Sequence, residues 1–167
     1  ANIKPGDKIS LIGRNTPNWT ITYVAVVTYG AVIVPILQDF NANDVHHIVN
    51  HSDSVLLYCS DKIWDKLDED KMENLMAVIS LNDFTCMYQN EENTMQSMLT
   101  NLNDEFAARY PNGYGPDDIH YTERDNSELA MISYTSGTTG FSKGVMLTAN
   151  ALAGNITYGI RSKLLER

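Results

Sequence analysis

Short apolar runs alternate with stretches of helical periodicity along this chain of 167 residues, in the order that repeated βαβ units produce. Ile9-Ser10-Leu11-Ile12 is predicted as the first strand. Thr16 then offers a hydroxyl cap, Pro17 suits a first helical position and Gly30 supplies a stop, so a helix is expected between them. Its residues Trp19, Ile21, Tyr23, Val24, Val26 and Val27 are apolar on every side, which predicts burial on most sides. Residues 32–36, 55–58 and 77–81 read as further strands. They are short, rich in β-branched residues and lack clean alternation, as strands covered on both faces do. Parallel pairing through right-handed crossovers is the expected topology.

Helices are expected over 43–51 and 61–67, the charged run through Glu73 being a solvated face. From 93 to 110, Met95, Met98, Leu99, Leu102 and Phe106 recur at helical spacing, and the methionines are read as core filler. Pro111-Asn112-Gly113-Tyr114-Gly115-Pro116 is the clearest loop signal. After it come a buried strand at 129–133, an extended segment at 144–148 and a helix from about 150 to 165. The expected organisation is a βαβ-type portion (1–110), a linker (111–128) and a strand, loop, strand and helix (129–167), all within one incomplete domain. The fold class is α/β, with a mostly parallel sheet flanked by helices.

Charge narrows the partners. A formal net charge of -9 argues against nucleic acid, whose affinity comes largely from clustered Lys and Arg. No run approaches the roughly 20 apolar residues that span a bilayer, and no basic-then-apolar leader opens the chain, so a cytoplasmic protein is expected, peripheral to a membrane at most. Cys59 and Cys86 stand apart without metal or disulfide spacing and are assigned no function.

One donor-rich island stands out in this acidic chain: Tyr134-Thr135-Ser136-Gly137-Thr138-Thr139-Gly140-Phe141-Ser142-Lys143-Gly144-Val145. Glycines let successive N–H groups converge on an anion, hydroxyls add donors, and Lys143 adds a mobile positive charge. The run is predicted to hold phosphate at the carboxyl end of a strand, where open α/β sheets bind ligands. It is not a Walker A loop. Counted from Gly137, the last positions are Ser142, Lys143 and Gly144, and an extended segment follows where a Walker loop would open a helix. The bland alternative is a hairpin turn that binds nothing. A second candidate is zinc at His47 and His51, four apart on a predicted helix with His46 and Asp53 nearby; the position after His47 is Ile48 rather than a glutamate, and no third ligand is evident, so a structural role is preferred. His120 falls in a loop, and nucleophilic catalysis is not indicated.

The run from Tyr134 to Val145 resembles the phosphate-loop signature of the adenylate-forming enzymes: acyl-CoA synthetases, luciferases and peptide-synthetase adenylation domains. Gly6-Asp7-Lys8-Ile9, Asn15, Pro17-Asn18-Trp19 and Gly30-Ala31-Val32-Ile33-Val34-Pro35 resemble the first blocks of acyl-CoA synthetases in order and spacing, long-chain fatty-acid–CoA ligases most. Ser142 stands where the family usually has proline, and Ala149 where histidine commonly follows the Leu-Thr pair. The resemblance implies that a carboxylate attacks the α-phosphate of Mg-ATP, giving an acyl-adenylate and pyrophosphate, and that coenzyme A then takes the acyl group. It implies that Thr135, Ser136, Gly137, Thr138, Thr139, Gly140 and Lys143 bind the phosphates, with Lys143 on the terminal ones and Thr138, or alternatively Thr139, approaching Mg²⁺. It places no catalytic residue within the chain, which is expected to be an N-terminal fragment, inactive alone and prone to self-association through uncovered edges. The alternatives are a non-catalytic nucleotide- or phosphate-binding module and an adenylating enzyme for another carboxylate.

Overall fold

The computed structural model describes residues 3–92, 94–135 and 142–162. Seven strands form one sheet: β1 (Lys8–Ile12), β2 (Val32–Ile36), β3 (Ser54–Cys59), β4 (Ala77–Ser80), β5 (Cys86–Gln89), β6 (Leu129–Thr135) and β7 (Lys143–Thr148), in the order β5-β4-β3-β1-β2-β6-β7. β1, β2, β3, β4 and β6 pair in parallel, whereas β5 and β7 close the two edges antiparallel. The mostly parallel α/β sheet expected from the sequence is what forms. The sequence did not predict β5: Cys86–Gln89 is short, half-buried and lacks a β-branched run.

The first helix, α1 (Pro17–Tyr29), starts where the sequence placed it. The Thr16 hydroxyl accepts from the Trp19 N–H, and Gly30 ends the helix at φ 92, a left-handed conformation that a Cβ would strain. The helices α2 (Ala42–His51), α3 (Asp61–Trp64), α4 (Met95–Arg109) and α5 (Ala149–Arg161) follow. Asn41 caps α2 by accepting from the Asp44 N–H at 3.0 Å. From β1 the chain crosses to β2 on one side and then returns past β1 to β3 on the other. Right-handed crossovers in opposite directions require helices on opposite faces. Accordingly, Val45, Ile48 and Val49 of α2 pack with Ile12, Val34 and Leu57 on one face, and Val26 of α1 packs with Ile9, Leu11 and Ile33 on the other.

Three expectations fail for packing reasons. The α1 helix is not buried on most sides: Ile21 and Val24 are more than half exposed, because only the stripe with Thr22 and Val26 meets the sheet. The helix expected over 61–67 shrinks to Asp61–Trp64, and a 3₁₀ turn at Glu69–Lys71 leads towards β4. On α4 only Met95 is buried; Met98, Leu102 and Phe106 are exposed, so helical spacing there does not mark core. Among the described residues no helix is long and apolar enough to cross a membrane.

Candidate functional site

The carboxyl ends of the parallel strands carry polar residues soon after each strand, and two clefts open along this edge. One, of about 580 Å³, lies between the ends of β1, β2 and β6 and is lined by Arg14, Asn15, Trp19, Gln38, Asp39 and the Ser133–Tyr134–Thr135 end of β6, among others. The β2–β6 ladder beneath it is registered at Ile33 opposite Met131, and Pro35, in the wall of the cleft, has no N–H to donate. The second cleft, of about 440 Å³, shares Arg14, Gln38 and Asp39 and continues past β3 and β4 to Ser60, Lys62 and Asn82. A polar lattice shapes that end. Asn18 in the first turn of α1 donates to the carbonyls of Leu81 and Asn82, while Ser80 and Asn82 donate to the two carboxylate oxygens of Asp61 at 2.7 Å each.

The phosphate-loop residues divide across the limit of what is described. Ser136, Gly137, Thr138, Thr139 and Gly140 lie outside the described residues, as does Phe141. Thr135 and Lys143 flank them, and antiparallel pairing sets the two directly opposite each other at the carboxyl edge, both exposed. One step further from the loop, Tyr134 faces Gly144. A Cβ on Gly144 would sit 2.9 Å from Ile132 Cγ2 and 3.1 Å from Tyr134 Cζ, so only glycine lets the two strands lie this way over the tyrosine ring. Beyond Lys143 the chain runs on as β7, not as a helix, in accord with the reading against a Walker loop.

Tyr134 itself is 5% exposed and packs with the α2 side of the core. Its hydroxyl meets His51 Nδ1 at 2.7 Å, and the two rings stand edge-on. Burial, followed by the Asp53 carboxylate, pushes the Tyr134 phenol pKa up and keeps its proton in place. His47 and His51 do share a face of α2, with ring centroids 5.4 Å apart, but His51 is engaged by Tyr134. His46 points the other way, into the core, where its Nε2 accepts from the Asp68 N–H at 3.0 Å. No group of three His, Cys, Asp or Glu side chains fit for a metal occurs among the described residues. Burial pushes the Cys59 thiol up to about 12, which leaves it an inert core group.

Reading the sequence missed Arg14, Gln38 and Asp39 as cleft residues. The available signal was positional, since each follows closely on a strand that proves parallel and central.

Comparison with known proteins agrees with this arrangement. Long chain acyl-CoA synthetase 2 of Arabidopsis thaliana is 26% identical over 154 residues, covering 90% of this chain and 22% of the relative. A 4-hydroxybutyrate–CoA ligase 2 from Metallosphaera sedula is 29% identical over 140 residues, covering 84% and 24%. This chain therefore spans about a quarter of the length of the relatives it matches. In three dimensions it superposes on a long-chain-fatty-acid-CoA ligase from Archaeoglobus fulgidus with a TM-score of 0.65, at 22% identity, over 92% of this chain and 27% of that one. The AMP-binding enzyme profile matches residues 1–165, through both strands that flank the loop, and the chain belongs to the AMP-binding enzyme family, the adenylate-forming enzymes.

Proposed function

We propose that this chain supplies the ATP-phosphate-binding edge of an acyl-CoA ligase that activates a long-chain fatty acid as its adenylate and passes the acyl group to coenzyme A. The observation that carries the reading is the hairpin root: Thr135 and Lys143 stand opposite each other at the carboxyl edge, beside a cleft of about 580 Å³, and the intervening run is the loop signature. Displacement at an α-phosphate needs the β- and γ-phosphates held in line, and their growing charge met by preorganised donors. In this reading the N–H groups and hydroxyls of Thr135, Ser136, Gly137, Thr138, Thr139 and Gly140 orient the phosphates, and the Lys143 ammonium neutralises the terminal ones. Mg²⁺ would supply Lewis-acid stabilisation of the same oxygens, with Thr138 or Thr139 offering it a hydroxyl.

Long-chain fatty acid is preferred over other carboxylates because several relatives are long-chain acyl-CoA synthetases, one of them the synthetase 3 of Arabidopsis thaliana. The 4-hydroxybutyrate ligase among the relatives keeps a short hydroxy acid as the second reading. ATP–pyrophosphate exchange on the full-length protein, with carboxylates of several lengths, tests both. Long-chain-dependent exchange that falls at least tenfold in Lys143→Ala and Thr138→Ala is the expected result, roughly the loss of one preorganised donor. Exchange with short acids alone moves the substrate assignment. Absence of exchange from a folded protein that still binds ATP overturns the ligase reading in favour of a nucleotide-binding module.

A further inference from the structure

We propose that His51 is a positioning residue for the phosphate loop, acting through Tyr134 to hold the root of the hairpin from which the loop springs. The proposal rests on the phosphate-loop reading above. Three observations lead to it. First, the parallel ladder between β2 and β6 is registered at Ile33 and Met131, four residues before Thr135, and Pro35 further along β2 has no N–H to donate towards the loop end. Second, the tie at that end comes from a side chain. Tyr134 immediately precedes Thr135, and its hydroxyl reaches His51 Nδ1 at 2.7 Å in the last turn of α2, an element anchored by Val45, Ile48 and Val49 in the core. Third, the tie governs both strands of the hairpin. The Tyr134 ring lies against Gly144, which neighbours Lys143, closely enough that a Cβ there would meet two ring carbons at 3.1 and 3.3 Å.

A ring held at its hydroxyl therefore fixes the lateral position of Thr135 and Lys143 together. Without the bond the ring keeps its packing but loses the tether of its hydroxyl to α2. Preorganisation of this kind acts on the phosphates that the loop would hold. A hydrogen bond that served only packing would show itself in stability instead.

The test uses the full-length protein and measures KM for ATP, KM for the fatty acid and thermal midpoint in five variants. Tyr134→Phe keeps the ring and removes the hydroxyl; His51→Leu removes the partner; His51→Asn places an amide near the Nδ1 position and can restore the bond; the fourth variant combines Tyr134→Phe with His51→Leu; Lys143→Ala reports on the loop itself. Tyr134→Phe and His51→Leu should each raise the ATP KM roughly three- to tenfold, the size of one hydrogen bond, with the fatty-acid KM unchanged. The combined variant should lose no more than either alone, and His51→Asn should stay within about twofold of the parent protein. The proposal is overturned if the two single variants lower the thermal midpoint and leave the ATP KM alone, if their effects add, or if His51→Asn behaves as His51→Leu. An unchanged ATP KM in Lys143→Ala would remove the phosphate-loop reading and this proposal with it. A raised one, beside indifferent His51 and Tyr134 variants, would remove the positioning role only.

Discussion

The centre of the sheet and its β7 end are made from similarly apolar strands and meet solvent in opposite ways. Leu11, Ile33, Leu57 and Val78 in β1 to β4 are fully enclosed between helices on the two faces. In β7, Val145 is 48% exposed and Met146 70%, and α5 beside it has no buried residue among those described. Ile156, Tyr158 and Ile160 on α5 are exposed to the same degree as ordinary surface residues. The difference lies in the neighbours and not in the residues: hydropathy makes a strand suitable for burial, but only an element on its other face removes it from water. The candidate loop is rooted where these two regimes meet, with β6 packed on the core side and β7 open.

Core truncation should separate the two regions most. Leu57→Ala or Ile79→Ala should cost about 2–5 kcal/mol in urea unfolding, whereas Met146→Ala should cost under about 0.5 kcal/mol. Equal losses would mean that β7 is covered in solution, and the contrast would disappear. Next in size is the hairpin root. Gly144→Ala forces a methyl into Ile132 and the Tyr134 ring, with a cost of about 1–3 kcal/mol and weaker ATP binding by the full-length protein. A silent Gly144→Ala would show that the strands separate freely there.

Capping sharpens the comparison further. Thr16→Ala removes the cap of a helix docked on the sheet and should cost about 1 kcal/mol, while Thr148→Ala, capping a helix with no buried residue, should change global unfolding by only about a few tenths of a kcal/mol. Reversal of that order would place α5 in the cooperative core.

The smallest effect is a pH dependence belonging to the centre. Burial, then the Lys71 ammonium, lowers the His46 pKa, against an opposing contribution from Asp68. The folded state thus favours the neutral ring, whose Nε2 accepts from the Asp68 N–H. Its contribution to stability is complete above the unfolded pKa, about 6.5, and is lost as pH falls through the window between that value and the lower folded one. Unfolding midpoints between roughly pH 8 and pH 5 should therefore decline in the parent protein and decline less in His46→Gln. Identical slopes would show that other groups carry the pH response.

Several features were legible in the sequence because they depend on neighbours in the chain. Thr16, Pro17 and Gly30 set the ends of α1 through local hydrogen bonding and backbone conformation, and the β-branched runs set β1 to β4. The loop signature between Tyr134 and Val145 is likewise a local pattern, as is its continuation into a strand. Other features were not legible. The exposed outer face of α1, the open side of α4 and the antiparallel edge at Cys86–Gln89 depend on which element lies opposite, and nothing within those segments encodes it. The gathering of Arg14, Gln38 and Asp39 at one cleft also needs β1 and β2 to be neighbours, and the bond from His51 to Tyr134 spans 83 positions of chain. Local sequence determined where elements begin and end and which run has the chemistry to hold phosphate; the tertiary structure decided which faces are dry and which distant side chains meet, because burial and long-range hydrogen bonds are properties of pairs of elements and not of either one alone.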